Sequence, residues 1–136
     1  MPLRIKLPVG ERIVVNGAVI ESANDSASLV FHNKVDILRR KEIMSEAEAN
    51  TPARRMYYNI QCAYLFKDDR AKFIDNYCLL RDQYLEAAPS AAPLCLEADE
   101  AIAEESFYES IRILQRLMEH EDERLGAFQG VLGEEG

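Results

Sequence analysis

Histidine and cysteine are scarce in this chain, and their scarcity narrows its chemistry. Only His32 and His120 occur among the 136 residues. Neither stands in ligand spacing with Cys62, Cys78 or Cys95, so no zinc pattern forms. The cysteines make no CxxC pair, and three is an odd number. They are expected to be buried free thiols in a reducing compartment, not a disulfide framework. GxGxxG, P-loop, GxSxG and HExxH strings are all missing. His120 lies between Glu119 and Glu121, which reads as an acidic helix end. No spacing supports a Cys–His dyad. The expectation is a protein that is not an enzyme and that needs no cofactor or metal. Long apolar runs are missing too: none approaches the roughly 18 residues that span a bilayer. The opening Met1-Pro2-Leu3-Arg4-Ile5-Lys6 lacks the apolar core of a signal peptide. A cytoplasmic protein without membrane contact is expected.

What is present suits one domain, with 48% hydrophobic residues to build its core. The net charge is −8, which argues against a general nucleic-acid binder. That charge is divided unevenly. Residues 1–60 hold 9 Lys/Arg and 7 Asp/Glu, whereas residues 61–136 hold 7 and 17. Any nucleic-acid contact is thereby confined to the first half. The acidic half offers a docking face for a protein partner instead.

The first 44 residues read as strands. Leu3, Ile5 and Leu7 alternate with Arg4 and Lys6, the period of a half-buried strand. Pro8-Val9-Gly10-Glu11 is turn chemistry, and Arg12 to Val15 a second strand. Asn16-Gly17 signals a type I′ hairpin, because both residues tolerate positive φ. Ala18 to Glu21 returns, Ser28 to His32 is a fourth strand, and Val35 to Leu38 a fifth after a turn at Asn33-Lys34. From residue 45 the period becomes helical. Ser45-Glu46-Ala47-Glu48 is a helical turn. A helix capped by Thr51 runs to about Phe66, and one capped by Asp68 or Asp69 to about Leu85. A connection rich in Ala and Pro follows, then a helical stretch that breaks near Glu104 to Ser106. A last helix carries Phe107, Ile111, Leu114 and Met118. Gly126 is expected to stop it, leaving 127–136 as a mobile tail. The fold class expected is α+β: a small N-terminal antiparallel sheet of hairpins over 1–44, packed on a helical region over 45–126 in one compact domain. So small a sheet must pack on those helices, on a second copy in a homodimer, or on both.

The stretch with most chemical content is Thr51-Pro52-Ala53-Arg54-Arg55-Met56-Tyr57-Tyr58. Thr51 is a good N-cap, and Pro52 fits the first helical position. Arg54 and Arg55 then sit at the positive end of the helix dipole, which disfavours cations. Unpaired N–H groups, dipole and two guanidinium forks invite a phosphate or a carboxylate. Two readings stand side by side. In one, Arg54 and Arg55 contact RNA phosphate, Arg39, Arg40, Lys41 and Lys34 extend the track, and Tyr57 or Tyr58 stacks on a base, with His32 a weaker candidate. In the other, Arg54 and Arg55 pair with Glu46 and Glu48. Tyr57 and Tyr58 are adjacent and point in different directions, so one of them belongs to the core.

Several strings resemble the FlbT family of flagellum biosynthesis repressors. They are Met1-Pro2-Leu3-Arg4-Ile5-Lys6-Leu7 with Gly10-Glu11, the hairpin Asn16-Gly17-Ala18-Val19, Asn33-Lys34, Ile37-Leu38-Arg39, Glu42-Ile43-Met44, Thr51 to Tyr57, and Leu117-Met118-Glu119. The resemblance reaches about residue 125. It implies a post-transcriptional regulator that associates with the 5′ untranslated leader of flagellin messenger RNA. Such a regulator represses translation and promotes mRNA decay in step with flagellum assembly. It also implies a companion regulator of the FlaF type or flagellin itself as a partner. A protein-interaction adaptor or chaperone-like partner, without direct RNA contact, is the alternative. The RNA-contact residues named above come from the physics of the sequence, not from the family.

Overall fold

The computed structural model describes residues 2–135, with side chains described through Gly126. The chain divides into two compact units, Met1–Met44 and Ser45–Gly136. Antiparallel strands come first and helices follow, the α+β class expected from the sequence.

The N-terminal unit holds β1 (Leu3–Leu7), β2 (Arg12–Val15), β3 (Ala18–Glu21), β4 (Ala27–Phe31) and β5 (Ile37–Leu38). These form two small sheets where one was expected. β1 pairs with β4, from Leu3 opposite Phe31 to Leu7 opposite Ala27, and the second sheet runs β3-β2-β5. Local turns explain the split. Glu11 N–H donates to the Pro8 carbonyl at 3.1 Å across a turn whose third residue, Gly10, has φ +81°. Positive φ at that position defines a type II turn and favours glycine. The turn starts β2 as a separate ribbon. Asn16 (φ 48°) and Gly17 (φ 86°) then make the I′ hairpin, setting Val15 opposite Ala18. Asn16 does more than turn the chain. Its Oδ1 accepts the Asp36 N–H at 3.0 Å and its own N–H donates to the Asp36 carbonyl at 2.9 Å, which docks β5 on β2. In β1, Ile5 and Leu7 are buried while Arg4 and Lys6 face out. Adjacent Ile13 and Val14 are both buried, so central β2 is covered on both faces.

The second unit begins with a single turn at Glu46–Glu48, capped by Ser45. Four helices follow: α1 (Pro52–Leu65), α2 (Arg70–Ala87), α3 (Ala92–Ala103) and α4 (Phe107–Glu135). α1 packs on α2 and α4, and α3 packs on α4. α2 meets α3 through polar groups. The Tyr77 hydroxyl donates to Asp99 Oδ1 at 2.9 Å, and Arg81 Nη1 reaches Asp99 Oδ2 at 3.1 Å. Burial, reinforced by the Asp99 carboxylate, pushes the Tyr77 phenol well above its ordinary range. The core is filled from stripes at helical spacing: Met56, Tyr57 and Ile60 of α1, Tyr77 and Tyr84 of α2, and Ile111, Leu114 and Leu117 of α4. Asp69 precedes α2 but makes no side-chain cap bond; the turn Lys67–Asp69 leads into the helix instead. α3 ends as a Schellman motif. Ser106 N–H reaches the Ala101 carbonyl at 2.8 Å, Glu105 N–H reaches the Ile102 carbonyl at 2.9 Å, and Glu105 has φ 59°.

α4 does not stop at Gly126 but runs through it to Glu135. Helical glycine costs about 1 kcal/mol relative to alanine, which one residue in a long helix tolerates. The mobile tail expected over 127–136 lies outside the residues whose side chains are described. Among the described residues, no helix is long and apolar enough to cross a membrane. All three cysteines are free, with Cys62 and Cys95 buried and Cys78 half-buried.

Two measurements check this packing. Glu105→Gly removes the left-handed strain of a non-glycine residue and raises stability by about 1 kcal/mol in urea unfolding. A loss of stability would show that the Schellman geometry is wrong. The Cys95 thiol is pushed up to about 11, first by burial and then by Asp99. Its thiolate fraction at pH 8 is then about one in a thousand, from the one-decade-per-unit rule. Iodoacetamide should therefore label Cys78 well before Cys95, and Cys95 labelling should quicken up to about pH 11. Equal rates at pH 8 would contradict the buried placement.

Candidate nucleic-acid interface

The first turn of α1 contains Arg54 and Arg55 and no acidic residue. Such a helix start wants an anion, and the fold supplies one from its far end. Glu121 of α4 is only 5% exposed. Its Oε2 accepts the Ala53 N–H at 2.9 Å, and its Oε1 accepts the Thr51 hydroxyl. The same Thr51 oxygen accepts the Arg54 N–H at 3.3 Å, so the cap both receives and donates. Next along α4, Asp122 Oδ1 lies 3.2 Å from Arg54 Nη2. The anion at this helix start is thus the chain's own carboxylate.

Pairing of Arg54 with Glu46 or Glu48 is not what forms. Glu48 instead turns back to Ser45, accepting its N–H at 3.1 Å and its hydroxyl at 2.9 Å. These bonds hold the Glu48 carboxyl below its usual range. The sequence contained a usable signal for Glu121. It continues the stripe of Ile111, Leu114 and Leu117 by four residues, and a carboxylate in a core-facing position requires donors.

Of the two stacking candidates, Tyr57 is 1% exposed. Gln115 Nε2 lies 3.5 Å from its hydroxyl. Its ring is part of the core and has no face to offer a base, which corrects that candidacy. Tyr58 is half-buried and bonded to the Cys62 thiol. Burial, with help from Cys62 and Glu46, raises its phenol above the ordinary value. Arg55 is exposed, and its guanidinium bonds no side chain among the described residues.

The other expected cations lie in the N-terminal unit. Arg39, Arg40 and Lys41 stand exposed where β5 gives way to a single turn, Arg40–Glu42. Glu42 Oε1 ties that turn by accepting the Arg39 N–H at 3.2 Å. Arg40 Nη1 approaches Glu11 Oε1 at 3.3 Å, an exposed pair of small worth that a phosphate can displace. Lys34 and His32 are exposed beyond the end of β4. An open cleft of about 470 Å³ lies between Gly10, Arg12, Arg40 and Ile43. Arg12, which also reaches Glu21 at 2.9 Å, is a cation the sequence reading passed over. It lines the cleft together with Gly10 and Arg40. The structural boundary sharpens the division of charge: residues 1–44 hold 7 Lys/Arg and 5 Asp/Glu, and residues 45–136 hold 9 and 19. Among the described residues no His, Cys, Asp and Glu cluster could hold a metal.

The Glu121 arrangement is open to test. Glu121→Ala leaves the buried Ala53 N–H without its acceptor and should cost about 3 kcal/mol in urea unfolding. Glu121→Gln keeps an acceptor and should cost less. A loss below about 0.5 kcal/mol for the alanine variant would mean the contact contributes nothing beyond a surface residue.

Comparison with known proteins places the chain. The family model described as "Flagellar protein FlbT" matches residues 3–125. The "Flagellum biosynthesis repressor protein FlbT" of Caulobacter vibrioides is 31% identical over 128 residues, covering 93% of this chain and 91% of the relative. A probable FlbT repressor of Rhodopseudomonas palustris is 32% identical over 125 residues, covering 92% and 98%. One from Bradyrhizobium diazoefficiens is 28% identical over 130 residues, covering 95% and 88%. No solved structure matches. With the match running from β1 into α4, this chain belongs to the FlbT family of flagellar proteins.

Proposed function

We propose that the chain is a post-transcriptional regulator of flagellin synthesis, working in the cytoplasm. It associates with the 5′ untranslated leader of flagellin messenger RNA, represses translation and promotes decay of the message, in step with flagellum assembly. Relatives named as flagellum biosynthesis repressors support the regulatory part of this reading. The observation that carries the RNA part is the separation of charge by unit. A chain of net charge −8 keeps a basic N-terminal unit, with Arg39, Arg40 and Lys41 exposed in one run. Arg12 and Arg40, together with Glu11, border a cleft of about 470 Å³, large enough for one nucleotide. Their ion pairs are exposed, so exchanging a carboxylate for a phosphate costs little.

A second reading has its own observation. The helical unit carries the acidic excess and exposes Leu79 on α2 and Leu96 on α3. A protein-interaction adaptor would use such exposed leucines for flagellin or for a companion regulator of the FlaF type, without touching RNA.

Fluorescence anisotropy of purified protein with the flagellin leader, across a salt series, separates the two. Direct contact predicts binding that weakens steeply with salt. Replacing Arg39, Arg40 and Lys41 by alanine should then weaken it at least about tenfold and lower the salt slope by up to about 2.1, at about 0.7 per phosphate of a single strand. Unchanged binding by that triple variant would remove the run from the interface. If no leader binding occurs at low salt while nuclease-treated protein still co-elutes with flagellin or the companion regulator, the adaptor reading replaces the first.

A further inference from the structure

The helical unit contains a pocket that neither reading uses. It has a volume of about 480 Å³ and opens between the start of α1, the second half of α2 and α4. Pro52, Leu80, Ala88 and Leu125 give it an apolar lining, with Tyr84 beside them. This is the size and character of pockets that take small molecules.

Its charges are unequal in a way that specifies a ligand. Two guanidinium groups line it, Arg55 and Arg124. Arg55 bonds no side chain among the described residues. Among the described residues, Arg124 bonds the Ala87 carbonyl at 3.4 Å and the Tyr84 hydroxyl, both neutral groups. Among the described residues one carboxylate lines it, Glu121, which already spends both oxygens on Thr51 and Ala53. The helix start is therefore filled, and the charge still open to a ligand is positive. Among the described residues neither guanidinium bonds a carboxylate, and such forks match a carboxylate or phosphate head in two-point geometry.

We propose that this pocket binds a small amphiphilic anion, with its apolar body against Leu80 and Leu125 and its carboxylate or phosphate-monoester head between Arg55 and Arg124. Such a ligand bridges α1, α2 and α4 and so stabilises their junction by mass action. The site is separate from the cleft of the N-terminal unit, and its occupancy requires no RNA.

The test is isothermal titration of the full chain, without RNA, with decanoate, decyl phosphate, decanol and decyltrimethylammonium below their micelle concentrations. One equivalent of decanoate or decyl phosphate should bind, and the cation should bind at least tenfold more weakly. Whichever anion binds tighter names the head group. Arg55→Gln and Arg124→Gln should each weaken the anion at least fivefold and leave decanol unchanged. Leu80→Glu should abolish binding while leaving Arg55 in place. Unliganded melting temperatures within a few degrees of wild type show that each variant is folded. Equal binding of anion and cation, an unsaturable titration, or indifference to both arginine changes in folded variants would overturn the proposal. Leader binding by the Leu80→Glu protein keeps this result independent of the RNA reading.

Discussion

The carboxylate of Glu121 at the start of α1 is the contact on which the helical unit turns. α1 touches both α2 and α4, so its position sets the other two. Yet its first turn carries two cations and no acid, a poor beginning for an isolated helix. Local sequence supplies the Thr51 cap there but no anion. The anion comes from α4, whose Glu121 accepts donors from Thr51 and Ala53, while Asp122 takes up Arg54. A buried carboxylate is costly unless its oxygens are satisfied, and a buried N–H is costly without an acceptor. Each meets the other's requirement here. Thr51 must hold its hydroxyl to serve both sides, which explains why a cap that merely accepts, such as aspartate, would not substitute: it would place a second carboxylate against Glu121.

The two units divide chemical labour along with charge. Strands in the first 44 residues are short, and their cations lie exposed, tied only by weak pairs. In the helical unit, the polar groups of interest are inward and committed: Tyr77 and Arg81 to Asp99, and Glu121 to the α1 cap. Exposed weak pairs exchange readily with a polyanion, whereas buried networks do not. Tyr57 illustrates the difference. Placed beside two arginines in sequence, it suggests a stacking platform, but its helix face points to α4 and Gln115.

Local chemistry was legible from sequence alone. Asn16-Gly17 set a hairpin whose flanking strands have the expected bounds, because positive φ at two consecutive residues has few other uses. Thr51-Pro52 marked the start of α1 for the same kind of reason. What escaped were choices decided by distant partners. Whether β4 pairs with its neighbour or with β1 is not written in its own five residues. Glu105 adopts a conformation usually given to glycine because the carbonyls of Ala101 and Ile102 need donors there. Gly126 looked like a stop, but no proline or competing cap follows to enforce one. Among candidate residues, Arg39, Arg40 and Lys41 were found as an exposed run. Glu121 was passed over because it was read as one acid among many at a helix end, not as the next member of an apolar stripe.

The reach from Glu121 back to Thr51 also orders events in time. Among the described residues, the strand pairings of the first unit close within its own 44 residues, so those pairings can form while the remainder is still being made. The first helix of the second unit has no such freedom. Its cap waits for a residue sixty-eight positions later than Ala53, near the end of the described chain. During synthesis the strand pairings of the basic segment can therefore close before the α1 cap can. The residues made by then, 1–44, carry net positive charge, the opposite sign from the whole chain.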